Sequence, residues 1–178
     1  MEEVAEYKSE YDNGEIFAMA GATANHNRIA FDCGRLVGNA LRGSGCEAFS
    51  ADMKVRIAKD DIYYYPELSI ACGKADFEDK KETILKNPTL IIEVLSEGTS
   101  SFDRGRKFHK YQQIASLQEY VLIEQIEPQI DSYFKMEDGS WNLRSHFGLE
   151  AVLELRSLGI KLKLADIYER VNFLAVEE

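Results

Sequence analysis

The stretch Leu90-Ile91-Ile92-Glu93-Val94-Leu95 decides how this chain folds, and one residue, Thr89, separates it from Pro88. An almost continuously apolar run of this length is typical of a β-strand that is buried on both faces. Such strands lie at the centre of sheets that helices cover. The run therefore predicts a mixed α/β or α+β domain built around this strand.

One charged residue, Glu93, interrupts the apolar run. Burying an unpaired carboxylate costs several kcal/mol, so buried carboxylates are usually paired with a cation or bound to a metal ion. Two interpretations stay open at this point. Glu93 is either a strand-end residue that an arginine or a backbone amide satisfies, or part of an active site.

The residues before this strand predict a hairpin, a helix and several short strands. The turn Asp12-Asn13-Gly14 and the strand-like residues 15–19 after it are typical of a β-hairpin. Apolar residues then recur at spacings of three and four, which predicts a helix over residues 25–41, capped by Thr23 or Asn25. Further strands are expected at 46–49, 53–58 and 63–71, followed by a surface loop at 72–87.

The residues after the central strand predict a second helix and more β-structure. The helix is expected at 104–114, a buried strand at 119–124, and a hairpin of 129–135 with 141–147 across the Glu137-Asp138-Gly139 turn. The tail, 152–168, is typical of a short strand pair that ends in a helical turn. We therefore expect one domain over residues 1–178.

The composition of the 178 residues is that of a globular protein, with 45% hydrophobic and 29% charged residues. The 31 acidic and 21 basic residues give a net charge of −10, which argues against a polybasic role at membranes or nucleic acids. An enzyme with a locally positive site remains compatible with this charge. The chain has no apolar run of the ~18 residues that a membrane span needs and no basic N-terminal signal segment, so we expect a soluble cytoplasmic protein.

The three cysteines, Cys33, Cys46 and Cys72, show no CxxC spacing. Their odd number would leave one thiol over in a disulfide framework, and the spacing does not fit a zinc finger. We expect reduced thiols, as in most cytoplasmic proteins.

A second carboxylate, Glu67, enters an apolar segment directly after Pro66. If the strand of Glu67 and the strand of Glu93 are neighbours in one sheet, the two carboxylates face a common point at the strand ends. Their mutual repulsion would be removed by a divalent cation, and Mg²⁺ or Mn²⁺ suits a site made of oxygen ligands and water.

A lysine, Lys107, is the third candidate. Asp103, Lys107 and Tyr111 stand four residues apart and share one face of the predicted helix. The helix follows the Glu93 strand, so Lys107 can reach back over the end of that strand. Residues 103–110 also carry a local excess of positive charge, in which Arg104, Arg106 and Lys110 are candidates for contact with nucleic-acid phosphates; a solvated basic helix face is the alternative.

Two carboxylates that hold a metal beside a lysine suit the hydrolysis of a phosphodiester bond. The metal ion polarises a phosphoryl oxygen and lowers the pKa of a bound water molecule. The lysine positions that water and stabilises the negative charge that develops on the phosphate.

At these residues the sequence resembles the Uma2 family of endonucleases, formerly DUF820. The resemblance runs in order from about Tyr7 to Tyr168, and it is carried by six segments: 12–21, 25–27, 65–69, 90–96, 103–111 and 117–123. It implies the restriction-endonuclease-like PD-(D/E)XK fold, a mixed β-sheet flanked by helices, here with an added N-terminal hairpin and C-terminal strands. It also implies Mg²⁺-dependent cleavage of DNA.

Carried over by position, the resemblance makes Glu67 and Glu93 the metal ligands and Lys107 the catalytic lysine. Leu95 stands where the lysine of the PD-(D/E)XK signature would be, and the family places that lysine on the following helix. One position departs from the family pattern, because Glu67 stands in place of an aspartate and is longer by one methylene. The alternative is a weakened or inactive nuclease-fold module that binds nucleic acid or a protein partner.

Two further residues are auxiliary candidates. Glu15 is a possible additional metal carboxylate or a surface charge of the hairpin, and His26 is a possible phosphate contact or a capping and structural residue. His109 and His146 are expected at the surface. The expected partners are DNA and a second copy of the chain in a homodimer, with no membrane contact.

Overall fold

The structure, a computed structural model, describes residues 9–12, 15–18, 22–57 and 62–173, of which 9–12 and 15–18 as backbone. The helices are α1 (Ala24–Ala40), α2 (Ser100–Phe102), a π-helical turn (Asp103–Lys107), α3 (Phe108–Tyr111) and α4 (Leu164–Ile167). The strands are β1 (Ser9–Asp12), β2 (Glu15–Ala18), β3 (Cys46–Ser50), β4 (Lys54–Ile57), β5 (Ile62–Tyr64), β6 (Leu68–Cys72), β7 (Ile84–Leu85), β8 (Leu90–Val94), β9 (Glu119–Ile123), β10 (Gln129–Lys135), β11 (Trp141–Phe147), β12 (Val152–Leu155) and β13 (Ile160–Lys163).

A mixed sheet with the order β11-β10-β9-β8-β6-β3 forms the centre of the fold. Strand β8 is parallel to β9 and antiparallel to β6, and all five residues of β8 are buried. The prediction of a central strand buried on both faces is confirmed. A second sheet has the order β2-β1-β5-β4-β7, and β12 pairs with β13.

The alternation of side chains along β8 divides the buried residues into two cores. Ile92 and Val94 join the core that α1 covers, whereas Ile91 belongs to the core beneath helix 100–111. Each fully buried aliphatic side chain stabilises the fold by about 1.5–3 kcal/mol. Because Glu93 alternates with Ile92 and Val94, its side chain is directed to the face of the sheet that helix 100–111 covers.

Helix α1 agrees with its predicted span to within one residue. Thr23 is its N-cap, and the Thr23 side chain accepts a hydrogen bond from the backbone N–H of His26 over 3.1 Å. Ile29, Cys33 and Val37 line its buried face. Within the described residues, no helix combines the length and the apolar character that crossing a membrane requires.

The segment predicted as one strand over 63–71 is two strands, and this prediction was wrong. β5 pairs with β1 and β4 in the second sheet, whereas β6 pairs with β3 and β8 in the central sheet. Pro66 lies at the junction, where it lacks the N–H that a continuous ladder needs and restricts Tyr65 before it. The predicted surface loop 72–87 also contains a strand, β7, which runs parallel to β4.

The predicted hairpins are confirmed in the described residues. β1 pairs with β2 in antiparallel register with Asp12 opposite Glu15, while the turn residues Asn13 and Gly14 lie outside the described residues. β10 and β11 have the predicted bounds.

The expectation of reduced thiols was wrong for two of the three cysteines. Cys46 and Cys72 are direct partners in the β3–β6 ladder and form a disulfide across it. The two cysteines are 26 positions apart in the sequence, and the register of the two strands brings them together. Their spacing alone could not indicate that they form a disulfide. Cys33 is free and buried in α1, and burial raises the pKa of its thiol to about 12.

The disulfide determines how many thiols per chain react with a thiol reagent. Protein unfolded in guanidinium without reductant should titrate one thiol per chain, that of Cys33, and three after reduction. In the native state we expect no rapid reaction, because the Cys33 thiol is buried and protonated. A titration of three thiols in unfolded protein that was never reduced would contradict the disulfide, and Cys33→Ala is the control that should lower each count by one.

A buried carboxylate, that of Asp32, fastens the C-terminal segment to α1. Arg170 donates to Asp32 Oδ1 over 2.7 Å, and Arg35 donates to the same oxygen over 3.2 Å. Burial alone would raise the pKa of the Asp32 carboxyl, but the hydrogen bonds and charges of the two arginines outweigh it and hold the pKa below its ordinary value. The ionised carboxylate therefore stabilises the fold.

Replacement of Asp32 should change both stability and its pH dependence. A folded-state pKa that is lowered stabilises the protein above the unfolded-state value of about 3.9, and this stabilisation is lost as the pH falls through the folded-state value. Asp32→Asn should lower the free energy of unfolding at pH 7 by about 2 kcal/mol and flatten its decline between about pH 5 and pH 2. Urea unfolding across this range tests it, with the exposed Asp166→Asn as control; identical curves for Asp32→Asn and wild type would refute it.

Candidate active site

The two candidate carboxylates lie at the same end of neighbouring strands. Leu68 of β6 is paired with Ile92 of β8; Glu67 precedes Leu68, and Glu93 follows Ile92. The two strands are therefore neighbours in one sheet, which is the condition for a shared site that followed from the sequence. Antiparallel pairing places Glu67 and Glu93 at adjoining positions where the two strands end.

Glu93 is 4% exposed, and two side chains satisfy one of its oxygens. Lys107 Nζ lies 2.9 Å from Glu93 Oε1, and the Tyr111 hydroxyl donates to the same oxygen over 3.1 Å. The partners of the buried carboxylate thus include a lysine and a tyrosine, which the sequence had not singled out as its structural partners.

Lys107 is enclosed by acidic and aromatic groups and is 5% exposed. Its Nζ lies 3.4 Å from Asp103 Oδ1 and 5.4 Å from the centre of the Tyr64 ring. One ammonium group therefore lies between two buried carboxylates, with an aromatic face beside it. Removing one member of such a buried set is costly, because it leaves uncompensated charge in the interior.

A π-helical turn, Asp103–Lys107, brings these groups together. The sequence predicted a regular helix over 104–114; the observed helix starts at Ser100 and ends at Tyr111, and its five-residue π-helical turn was not predicted. Single π-turns are rare and often occur at functional sites. The Tyr120 hydroxyl donates to the Asp103 carbonyl over 3.0 Å, which supports the turn from strand β9.

His26 contacts the same edge of the sheet from the other face. It is 8% exposed, and its Nε2 lies 3.1 Å from the Val94 carbonyl and 3.3 Å from Glu67 Oε1. Of the two roles that the sequence left open for His26, the structure has a buried structural contact. Gln125 donates to the next carbonyl, that of Leu95, over 2.8 Å, and no sequence pattern pointed to this residue.

The basic residues of this helix differ in their surroundings. Arg104 donates to Glu124 over 2.9 Å and forms a second ion pair with Asp131, so its guanidinium is directed to acidic groups of the chain itself. Arg106 is exposed and Lys110 is half-buried. Of these three basic residues, Arg106 is the exposed one.

The remaining candidates have no described part in the site. Glu15 begins β2, and its side chain lies outside the described residues. His109 is exposed, as expected. His146 was expected at the surface but is buried beside Ser132, 3.3 Å from its hydroxyl, and burial holds the pKa of His146 below its ordinary value. His146 lies opposite the buried Ile130 in the β10–β11 ladder, which places its side chain in the interior.

The ends of β6 and β8 carry oxygen atoms of the chemical kind that a hard divalent cation binds. Within the described residues, no three His, Cys, Asp or Glu side chains gather closely enough to hold a metal ion among themselves. Glu67, Glu93 and the Val94 carbonyl nevertheless supply oxygen donors at one edge. Mg²⁺ is commonly held by one or two carboxylates, with water completing the shell.

A mixed sheet with carboxylates at neighbouring strand ends and a buried lysine on the following helix defines a nuclease-fold protein. A crystal structure titled "a putative nuclease belonging to DUF820", from Anabaena variabilis, superposes with a TM-score of 0.76 over 93% of this chain and 92% of that one, at 18% identity. This similarity shows the fold, and the expected restriction-endonuclease-like architecture is confirmed.

The family model of Uma2, described as "Putative restriction endonuclease", matches residues 1–165. This chain belongs to the Uma2 family. Two uncharacterised proteins of Synechocystis, sll1609 and slr1290, are 38% and 36% identical to it over 159 and 173 residues. The alignments cover 89% and 97% of this chain and 90% and 89% of the two relatives. Family and fold together support a nuclease.

The buried charges around Lys107 can be tested through stability. Lys107→Met should lower the free energy of unfolding by about 3–5 kcal/mol, because Glu93 and Asp103 lose the cation between them. Adding Glu93→Gln should recover part of this loss, so that the two changes are non-additive by about 1 kcal/mol or more. Urea unfolding measures all four corners of the cycle. The exposed Lys163→Met should stay within about 0.5 kcal/mol of wild type, and strict additivity would argue against a coupled buried pair.

Proposed function

We propose that this protein is a metal-dependent endonuclease that hydrolyses phosphodiester bonds of DNA. The observation that carries the proposal is the buried contact of Lys107 with Glu93 at the end of β8, beside Glu67 on the neighbouring strand. A lysine and carboxylates at one sheet edge supply the groups that phosphodiester hydrolysis needs.

Glu67 and Glu93 would hold Mg²⁺ or Mn²⁺. When bound, the ion supplies Lewis-acid polarisation of a phosphoryl oxygen and a water of lowered pKa. Tyr111 and Lys107 fix the orientation of the Glu93 carboxylate through its Oε1. The carboxylate is thereby held in one geometry before any substrate arrives, which is the condition for an effective site.

Lys107 is the catalytic lysine of the proposal. Its Nζ is held within 3.4 Å of carboxylate oxygens on both sides, so the ammonium charge is fixed at the edge of the sheet. A fixed positive charge in a water-poor site stabilises the negative charge that develops on a phosphate during hydrolysis. The ammonium group can also orient an attacking water by hydrogen bonding.

DNA is the proposed substrate because basic residues of the helix lie next to this site. Arg106 and Lys110 flank Lys107 on the helix surface, in a protein whose net charge is −10. Because the salt dependence of binding scales with the number of phosphates that are neutralised, binding through so few cations should weaken only moderately with added salt. A homodimer is part of the proposal, since two copies of the site can cut both strands at one place.

A second candidate function follows from Arg104. Its ion pairs with Glu124 and Asp131 remove one predicted phosphate contact, and Glu67 is longer than the family aspartate. The first feature weakens the case for contact between Arg104 and DNA, and the second changes the length of a proposed metal ligand. Both therefore favour a nuclease-fold module that does not cleave, and that binds a protein partner or binds nucleic acid through other residues. Turnover is what separates this module from the proposed enzyme.

Nicking of supercoiled plasmid in Mg²⁺ and in Mn²⁺ tests the proposal. Wild type should nick, whereas Glu93→Ala and Lys107→Ala should each lose at least about a hundredfold in rate, because each removes a group that acts on the reacting phosphate. Glu67→Asp should change the rate and the preferred metal ion. The surface variant Lys163→Ala is the matched control and should cleave like wild type.

The outcomes separate the two candidate functions. Activity in wild type that is absent from folded Glu93→Ala supports the nuclease and assigns the activity to this site. Activity that appears only in Glu67→Asp supports a nuclease fold whose cleavage activity is lost through the extra methylene of Glu67. Absence of cleavage in wild type and in every variant, while DNA is still shifted in gel-shift assays, supports the binding module and refutes the proposed nuclease activity.

A further inference from the structure

Strand β11 is an outermost strand of the central sheet, and no other strand of the described residues pairs with its far side. The opposite outermost strand, β3, is shorter, carries the exposed Glu47 and is tied to β6 by the disulfide. β11 is seven residues long, contains no proline, and has Arg144 as its one charged residue at neutral pH. Proteins usually protect open strands with charges, proline or short length, because such strands pair with other chains. β11 lacks most of this protection.

Alternate residues of β11 direct their backbone groups away from β10. Two backbone hydrogen bonds of 2.8 Å, from Met136 N–H to the Ser140 carbonyl and from Gly148 N–H to the Pro128 carbonyl, close the two ends of the β10–β11 ladder. Because hydrogen-bonded pairs alternate along an antiparallel ladder, the even-numbered residues of β11 bond to β10 and the odd-numbered ones face outward. The outward-facing residues are Trp141, Leu143, Ser145 and Phe147.

The same odd-numbered residues carry exposed apolar side chains on one face of the sheet. Leu143 is 50% exposed and Phe147 is 67% exposed. Further exposed apolar side chains flank the strand at Met136, Leu149 and Val152. Single apolar residues at a surface are ordinary, whereas a group of them usually marks an interaction site. One strand thus offers both open hydrogen-bonding groups and apolar contact.

A second copy of β11 satisfies both features in one register. When two identical strands pair antiparallel about a two-fold axis at Ser145, Leu143 lies opposite the partner's Phe147, and symmetry repeats this apolar contact. Residues 143, 145 and 147 all direct their backbone groups outward, so each pair that they form exchanges both of its N–H···O bonds. The strand is therefore complementary to itself in hydrogen bonding and in apolar contact.

Charge and strand length disfavour the neighbouring registers. An axis at Arg144 would place two guanidinium groups directly opposite each other, which is destabilising across a strand pair. An axis at Leu143 or at His146 would leave Phe147 or Leu143, respectively, beyond the end of the partner strand. With the axis at Ser145, Arg144 lies opposite the partner's His146. Burial holds the pKa of His146 below its ordinary value, so this imidazole is neutral at pH 7 and does not repel the arginine.

We propose that two copies of this chain dimerise through β11, which pairs antiparallel with the partner's β11 about a two-fold axis at Ser145. The central sheets of the two copies then form one continuous sheet. The interface deepens the proposed function, on which it rests for the use of two cutting sites, by naming the surface through which the homodimer forms. Its test uses neither DNA nor a metal ion.

Oxidative cross-linking of introduced cysteines in the full chain tests the register. Ser145→Cys should give a disulfide-linked dimer on non-reducing gels, because the two Cα atoms of a hydrogen-bonded pair lie about 5.5 Å apart, within reach of a disulfide. Asn142→Cys, at an exposed position of the same strand, is the matched control. Because Asn142 lies three positions from the axis on each strand, its two copies are about 20 Å apart and should not link.

Sedimentation equilibrium tests the apolar contact. Wild type should associate to twice the chain mass of 20.2 kDa. Leu143→Glu should raise the Kd of the dimer about a hundredfold or more, because symmetry brings the new charge into the interface twice. Phe31→Glu is the matched control, since Phe31 is an exposed apolar side chain of α1, and this variant should dimerise like wild type. Circular dichroism checks that each variant is folded.

Each result decides for or against the interface. A wild type that sediments as a monomer overturns the proposal, and so does a dimer that Leu143→Glu leaves intact or that Ser145→Cys links no better than Asn142→Cys. If Leu143→Glu does not fold, wild-type sedimentation and the two cysteine variants still give the answer. Plasmid nicking by a monomer would refute the interface and leave the nuclease standing, whereas a dimer linked through Ser145→Cys, with no nicking by wild type in any metal, would refute the nuclease and leave the interface.

Discussion

The burial of the Glu93 carboxylate in the central strand constrains the rest of the structure. A charge that is 4% exposed needs a cation inside the protein, and Lys107 is held 2.9 Å from it. Lys107 reaches this position because its helix follows β8 directly and contains a π-helical turn. The ring of Tyr64, from a strand of the second sheet, closes over the ammonium group. Both sheets and the helix are thus arranged around one ion pair.

This arrangement couples stability to the proposed chemistry. The oxygen of Glu93 that accepts from Tyr111 and contacts Lys107 is fixed by both, so the carboxylate is oriented by the same contacts that stabilise the core. Buried ion pairs contribute less to stability than their Coulomb attraction implies, because desolvation opposes it. Their retention in the core is better explained by the orientation that they impose on groups at the sheet edge.

The sequence predicted those features that local pattern determines. The apolar run around Glu93 indicated the central strand, and the four-residue spacing of Asp103, Lys107 and Tyr111 indicated that Lys107 reaches the end of this strand. Both signals are local, because they lie within 18 residues of each other. Features set by non-local register were missed. The disulfide of Cys46 and Cys72, the inward side chain of His146 and the division of segment 63–71 between two sheets all depend on which strands pair.

The length of the Glu67 side chain explains its contact with His26. An aspartate at this position would hold its oxygens closer to its own backbone by about one carbon–carbon bond, roughly 1.5 Å. The longer Glu67 side chain extends to 3.3 Å from His26 Nε2, across the sheet edge toward α1. The extra methylene therefore extends the Glu67 carboxylate to a ring nitrogen of helix α1. A shorter side chain would withdraw its oxygens from His26, so in the proposed nuclease the orientation of this carboxylate depends on the histidine as well as on its own strand.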